Sequence, residues 1–264
     1  MEYHLVLKSF LKTNHMKKAL LASCLILLTG CFDDKDEDKS WRLNTKEITE
    51  IIEFRNGVSI HGYLQNKATV RWNTEHPVPL YFVSQTEGKV PANVSEAIDL
   101  IHSAIGFKVF SVPQVLYHPL SDYRDDVLNI SNNQFDEHFY ATHEIDFGVV
   151  IGHDTQFSLL SEGQNDYCVG TSNQPFSSQL LTYFAPDTHY YQEDQVIWVH
   201  VGHPRCNQAN LTPEVIANEL LRSLGLPREF LVGDWWLTEF SGPAQQLIRT
   251  LYNNPAGTPF SELK

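Results

Sequence analysis

Residues 212–225, TPEVIANELLRSLG, constrain the fold more than any other stretch of the chain. Thr212 offers a side-chain oxygen to the unpaired N–H groups that open a helix, and Pro213 fits the first turn, where no N–H is needed. Glu214 places negative charge at the positive end of the helix dipole, and Gly225 stands where a left-handed stop belongs. Between them Ile216, Leu220 and Leu224 recur at i, i+4 and i+8, with Ala217 and Leu221 widening the stripe. A helix this apolar on one side must be buried against other structure. Its polar side carries Asn218, Glu219 and Arg222, and the i,i+3 spacing of the last two predicts an ion pair.

The rest of the chain alternates between strand and helix signals. Residues 47–54 predict a short helix with Ile48, Ile51 and Ile52 on one side. Residues 58–64, 67–72 and 79–84 read as strands, the last two paired through a turn marked by His76-Pro77 and Pro79. Residues 91–105 predict a second helix, with Val94, Ile98, Ile101 and Ile105 inward and Gly106 as its stop. Strands are expected over 107–112, 127–130, 147–152 and 195–201, with an exposed loop over 164–179. A turn over 234–240 leads to a last helix over 242–252, with Ala244, Leu247, Ile248 and Leu251 inward and Pro255 and Gly257 ending it. The expected class is α+β: a mixed twisted sheet, the 212–225 helix packed on it, and a C-terminal helix.

Residues 218–225, NELLRSLG, resemble the H-E-x-x-H-x-x-G frame of the zincin metallopeptidases. The order of elements also resembles a zincin domain: strands, a helix, several strands, the motif helix and a C-terminal helix. That resemblance covers roughly residues 68–263. The segments ELLRSLGLP and LIRTLYNNPAG further resemble a family of bacterial secreted proteins and lipoproteins with zincin-like domains, whose motif helix keeps the Glu and the Leu-Gly-Leu end without the histidines. In zincins two histidines at i and i+4 grip zinc and the adjacent Glu acts as general base, a role the resemblance would give Glu219. Asn218 and Arg222 occupy the histidine positions, and Arg228 the position of a third ligand in extended motifs. A guanidinium has donors only and stays protonated, so it cannot coordinate. Its charge would repel a metal by roughly 4 kcal/mol per unit charge at about 4 Å and an effective dielectric near 20. The expected site is therefore metal-free, with Asn218 and Arg222 lining a cleft suited to a carboxylate or a peptide terminus. Zinc held by Glu219 with His153, His200 or His203 is the alternative.

Residues 16–31, MKKALLASCLILLTGC, have a charged start at Lys17 and Lys18 and an apolar core over 19–28 that is too short to span a bilayer. The ending Leu28-Thr29-Gly30-Cys31 resembles a bacterial lipobox, which implies a signal peptide over 1–31, with Met16 as the expected start, and lipid on Cys31. Residues 32–40 begin FDDKDEDK and predict a flexible acidic tether, leaving 41–264 as a single domain. The expected location is the bacterial cell envelope, anchored by lipid and facing the periplasm or the exterior. The formal net charge is −13, and the leader removes four lysines against one glutamate, so the remainder is more acidic still. That balance excludes nucleic acid as a partner. Cys24 leaves with the leader, so Cys168 and Cys206 remain as an expected disulfide in an oxidising compartment.

His200 and His203 are i and i+3, and on a strand they point to opposite faces unless the chain bends at Gly202. His143-Glu144 and His153-Asp154 read as surface pairs at strand edges. Trp235-Trp236 either lines a groove for a peptide or glycan or packs on the last helix. No nucleophile elbow and no glycine-rich phosphate loop occurs. Three readings follow: a lipid-anchored, non-catalytic binding module; a metallopeptidase-like hydrolase using Glu219; and a structural lipoprotein that docks an envelope partner.

Overall fold

A computed structural model describes residues 42–57, 67–84, 88–117, 139–153, 169–172, 180, 183–202, 208–227, 231–232, 235–236 and 239–264. The chain divides into two units, Met1–Trp41 and Arg42–Lys264, and all described residues belong to the second. The expected lipobox with Cys31, the expected tether, the strands expected over 58–64 and 127–130, Cys168, Cys206, His203 and Arg228 lie outside the described residues.

The second unit is mixed α and β. Its elements run α1 (Thr45–Asn56), β1 (Leu80–Ser84), α2 (Ala92–Ile105), β2 (Gln114–Tyr117), β3 (Gly148–His153), β4 (Val169–Ser172), β5 (Phe184–Ala185), β6 (Tyr190–Tyr191), β7 (Val196–Val201), α3 (Pro213–Ser223), β8 (Leu231–Val232), β9 (Trp235–Trp236) and α4 (Gly242–Asn253). Five strands form one sheet in the order β2-β1-β3-β7-β4. All neighbours are parallel except β4, which runs antiparallel to β7 at the edge. Parallel neighbours cannot be joined by a tight hairpin, and α2 provides the crossover from β1 to β2.

Side chains on a strand alternate between faces, and the register keeps like with like. Leu80 and Phe82 of β1 stand beside Val149 and Ile151 of β3, and these beside Ile197 and Val199 of β7. All six face the main core, shared with α1, α2, α3 and α4. Val83, Val150, Val196 and Trp198 point the other way, into a smaller cluster with Leu116, Phe139 and Ile145. Buried on both faces, β3 and β7 therefore read in the sequence as continuous apolar runs.

The helix caps follow local chemistry. Asn44 accepts from the Glu47 N–H at 3.0 Å, and Glu47 accepts from the Asn44 N–H at 2.8 Å, closing a capping box on α1. Thr212 accepts from the Val215 N–H at 3.3 Å at the start of α3.

Three expectations are corrected. Residues 67–72 and 79–84 do not pair with one another. The first segment makes single bridges, Ala68 to Pro259 and Arg71 to Tyr190, while β1 is taken on both sides by β2 and β3. Residues 107–112 make one bridge, Phe110 to Val78, and the ladder begins only at Gln114, after Pro113, which has no N–H to donate. Residues 164–179 are not all loop: β4 lies within them, short and polar as an edge strand tends to be. In addition, β8 and β9 pair antiparallel, Leu231 with Trp236 and Val232 with Trp235, so two residues of the turn expected over 234–240 lie in a strand.

Candidate functional site

The last carbonyls of a helix have no partner within it. At α3 they are met by side chains from three other segments. Trp72 Nε1 donates to Ser223 O at 2.6 Å, and Tyr252 Oη donates to Leu224 O at 3.1 Å. Asn56 Nδ2 donates to Gly225 O at 2.6 Å, and Arg55 Nη2 donates to Leu226 O. Asn56 also clamps residue 70, donating to Val70 O at 2.6 Å and accepting from its N–H at 2.7 Å. The Leu226 N–H returns to Leu221 O at 3.1 Å, closing a Schellman-type end. Gly225 has φ +108°, and a Cβ there would meet Val70 O at 3.0 Å and Leu251 Cδ2 at 3.1 Å. Glycine is thus required both by backbone conformation and by crowding. Burial pushes the Tyr252 phenol upward, with Tyr191 adding to the rise, so it stays a neutral donor.

One turn back, the polar side of α3 faces β4. Thr171 stands opposite Val199 of β7, on the helix side of the sheet, and its hydroxyl donates to Glu219 Oε1. Arg222 Nη1 donates to the same oxygen at 3.3 Å, the i,i+3 pair expected from the sequence. Arg222 Nε reaches Pro227 O at 3.3 Å. Glu219 is buried, while Asn218 and Arg222 are partly exposed. Two donors therefore converge on one oxygen of a buried carboxylate, and one of them is a cation held in place by a backbone carbonyl.

His200 belongs to the other face. Its neighbour across the strand pair is Gly170, and its ring stacks on Trp198 with centroids 5.9 Å apart and planes 18° from parallel. Ser172 Oγ lies 3.0 Å from His200 Nε2, and Trp198 Nε1 donates to Tyr140 Oη at 2.7 Å. Complete burial holds the His200 imidazole well below its usual range, so the ring is neutral. His153, at the end of β3, is on the same face as Glu219, its ring 5.7 Å from Phe82. The structure thus brings Glu219, Arg222 and Asn218 together on one side and sets His200 on the opposite side.

Among the described residues, no three His, Cys, Asp or Glu side chains lie where they could hold a metal ion. The donor chemistry at the motif positions does not suit zinc: an amide, a guanidinium, and a carboxylate oxygen already accepting twice. Thr171, Ser172, Asn56 and Trp72 were not singled out from the sequence. Asn56 is one polar residue at a helix end, and Thr171 acquires its role only from the edge-strand register. Comparison with protein-family models, with curated proteins and with solved structures finds no match to this chain.

Proposed function

We propose that the chain is a lipid-anchored cell-envelope protein whose zincin-like domain binds and does not cut. One observation carries this reading. The Glu219 carboxylate, which a zincin would use as general base, accepts from Thr171 and from Arg222. A base must offer a lone pair to a water, and here the charge is neutralised internally. The element order and the packing of α3 on the sheet support the zincin-like part of the reading. The lipobox at Cys31 supports the anchor, and among the described residues no helix is long and apolar enough to cross a membrane. Arg222, partly exposed beside Asn218, is the cation at that face, and a carboxylate or peptide C-terminus is the ligand class it suits.

The test is a calorimetric titration of short peptides with free and with amidated C-termini into wild type and Arg222→Ala. The reading predicts binding of the free-acid peptides only, lost in the variant while its circular dichroism is unchanged. Equal binding of amidated peptides, or binding that survives Arg222→Ala, would sink it.

A further inference from the structure

Arg71 lies in the segment ahead of β1 and is 8% exposed. Its guanidinium carries five N–H groups. Nε donates to Asn254 O at 3.3 Å, and Nη1 donates to Trp72 O at 3.1 Å and Thr74 Oγ1 at 3.2 Å. The Tyr190 and Tyr252 ring centroids lie 5.9 and 5.2 Å from Cζ. Among the described residues Nη2 makes no hydrogen bond, and this atom is not fully sealed from solvent. Among the described residues, no carboxylate lies within ion-pair distance of this cation.

Everything that holds Arg71 is therefore neutral: two carbonyls, a hydroxyl and two ring faces. Arg222 has Glu219 as its counter-charge, and among the described residues Arg71 has none. The carbonyl at the C-terminal end of α4 offsets part of the burial cost through the helix dipole, and the rings add cation–π attraction. Neither replaces a counter-ion, and a buried charge without one is unfavourable. The chain is strongly acidic, with a formal net charge of −13, so the missing carboxylate does not reflect a scarcity of acids.

We infer that Arg71 is the cationic centre of an oxyanion-binding site, with the two N–H groups of Nη2 as donors and Thr74 and Tyr190 at its rim. The ligand presents a carboxylate or a phosphate end-on, because Nε and Nη1 are already engaged and the bidentate fork is closed. Three hydrogen bonds and two rings fix the guanidinium before the anion arrives, so little side-chain freedom is lost on binding. Lysine would keep the charge and lose this fixed planar geometry.

The experiment is a titration of full-length protein, labelled with ¹⁵N-arginine, with sodium acetate and with inorganic phosphate at low ionic strength. The Arg71 side-chain resonances should move saturably with at least one anion, and should do so equally in Arg222→Ala, which separates this site from the α3 face. Arg71→Lys should weaken the interaction about tenfold, as expected when a pre-organised guanidinium is lost. A response to acetate alone assigns a carboxylate ligand, and a response to phosphate alone a phosphate. Arg71 resonances unmoved by both anions, or moving without saturation, would overturn the inference whether or not the lysine variant folds. Unchanged affinity in a folded Arg71→Lys would overturn it as well.

Discussion

The C-terminal end of α3 and its polar side are one turn apart and are held in opposite ways. At the end, backbone carbonyls receive donors from Arg55, Asn56, Trp72 and Tyr252, residues remote from the helix in sequence. These bonds are buried and fix the helix at the point where three segments meet. On the polar side, a carboxylate is held by one hydroxyl from an edge strand and by a guanidinium three residues along the same helix. The difference shows how to read the motif frame. The Leu-Gly-Leu end is accounted for by packing, so its presence says that the helix is buried and says nothing about chemistry. Under the proposed reading the functional information lies with Asn218, Glu219 and Arg222: Glu219 keeps the acid of the frame, and Asn218 and Arg222 stand where a zincin would carry histidines.

The largest expected effect is at the buried end. Gly225→Ala should lose about 2–4 kcal/mol, because a side chain there is strained by positive φ and meets the Val70 carbonyl. Urea unfolding measures it, and a loss no greater than that of Glu219→Gln would erase the contrast between the two regions. Asn56→Ala should cost about 2–3 kcal/mol, since it leaves one N–H and two carbonyls buried without partners. Crystallography of that variant should show the residue 67–72 segment displaced.

Acid should act through the opposite face of the sheet. The folded pKa of His200 lies below its unfolded value near 6.5, so the unfolded chain binds the proton first. His200 therefore contributes stability in full above about pH 6.5, and this declines by about 1.4 kcal/mol per pH unit below it. His102 shifts the same way through partial burial, with Asp99 opposing, and its Nε2 accepts from the Phe110 N–H, a bond that protonation removes. Unfolding midpoints at pH 7.5 and 5.5 should differ in wild type and differ less in His200→Gln, where His102 still contributes; an unchanged slope in the variant would move the acid sensitivity elsewhere. The smallest effect belongs to the polar side of α3. Glu219→Gln keeps an acceptor for Thr171 and removes the ion pair, and should cost about 1 kcal/mol or less, shrinking with salt.

Much of the fold was legible because its elements are driven by burial. The stripes on α2, α3 and α4 and the apolar runs of β3 and β7 all appear where the sequence places them. What stayed hidden depends on partners distant in the chain. VGTS has no strong period, and it becomes β4 because β7 offers an open edge. Val109 and Phe110 look like strand residues, yet Pro113 delays the ladder. The Glu219–Arg222 pair was readable from helical spacing alone, whereas Thr171 was not, since only register brings it to the helix side. For the same reason His200 looked like a possible neighbour of Glu219, and strand parity sends it to the far face.

The most direct test of the central claim is zinc stoichiometry. Wild type and Glu219→Gln would be dialysed against buffer containing zinc, freed of loosely held ions, and analysed by plasma mass spectrometry. The account predicts zinc far below one ion per chain in both proteins, because the positions that would grip it hold an amide and a permanent cation. One tightly bound zinc per chain in wild type, lost in Glu219→Gln, would contradict it.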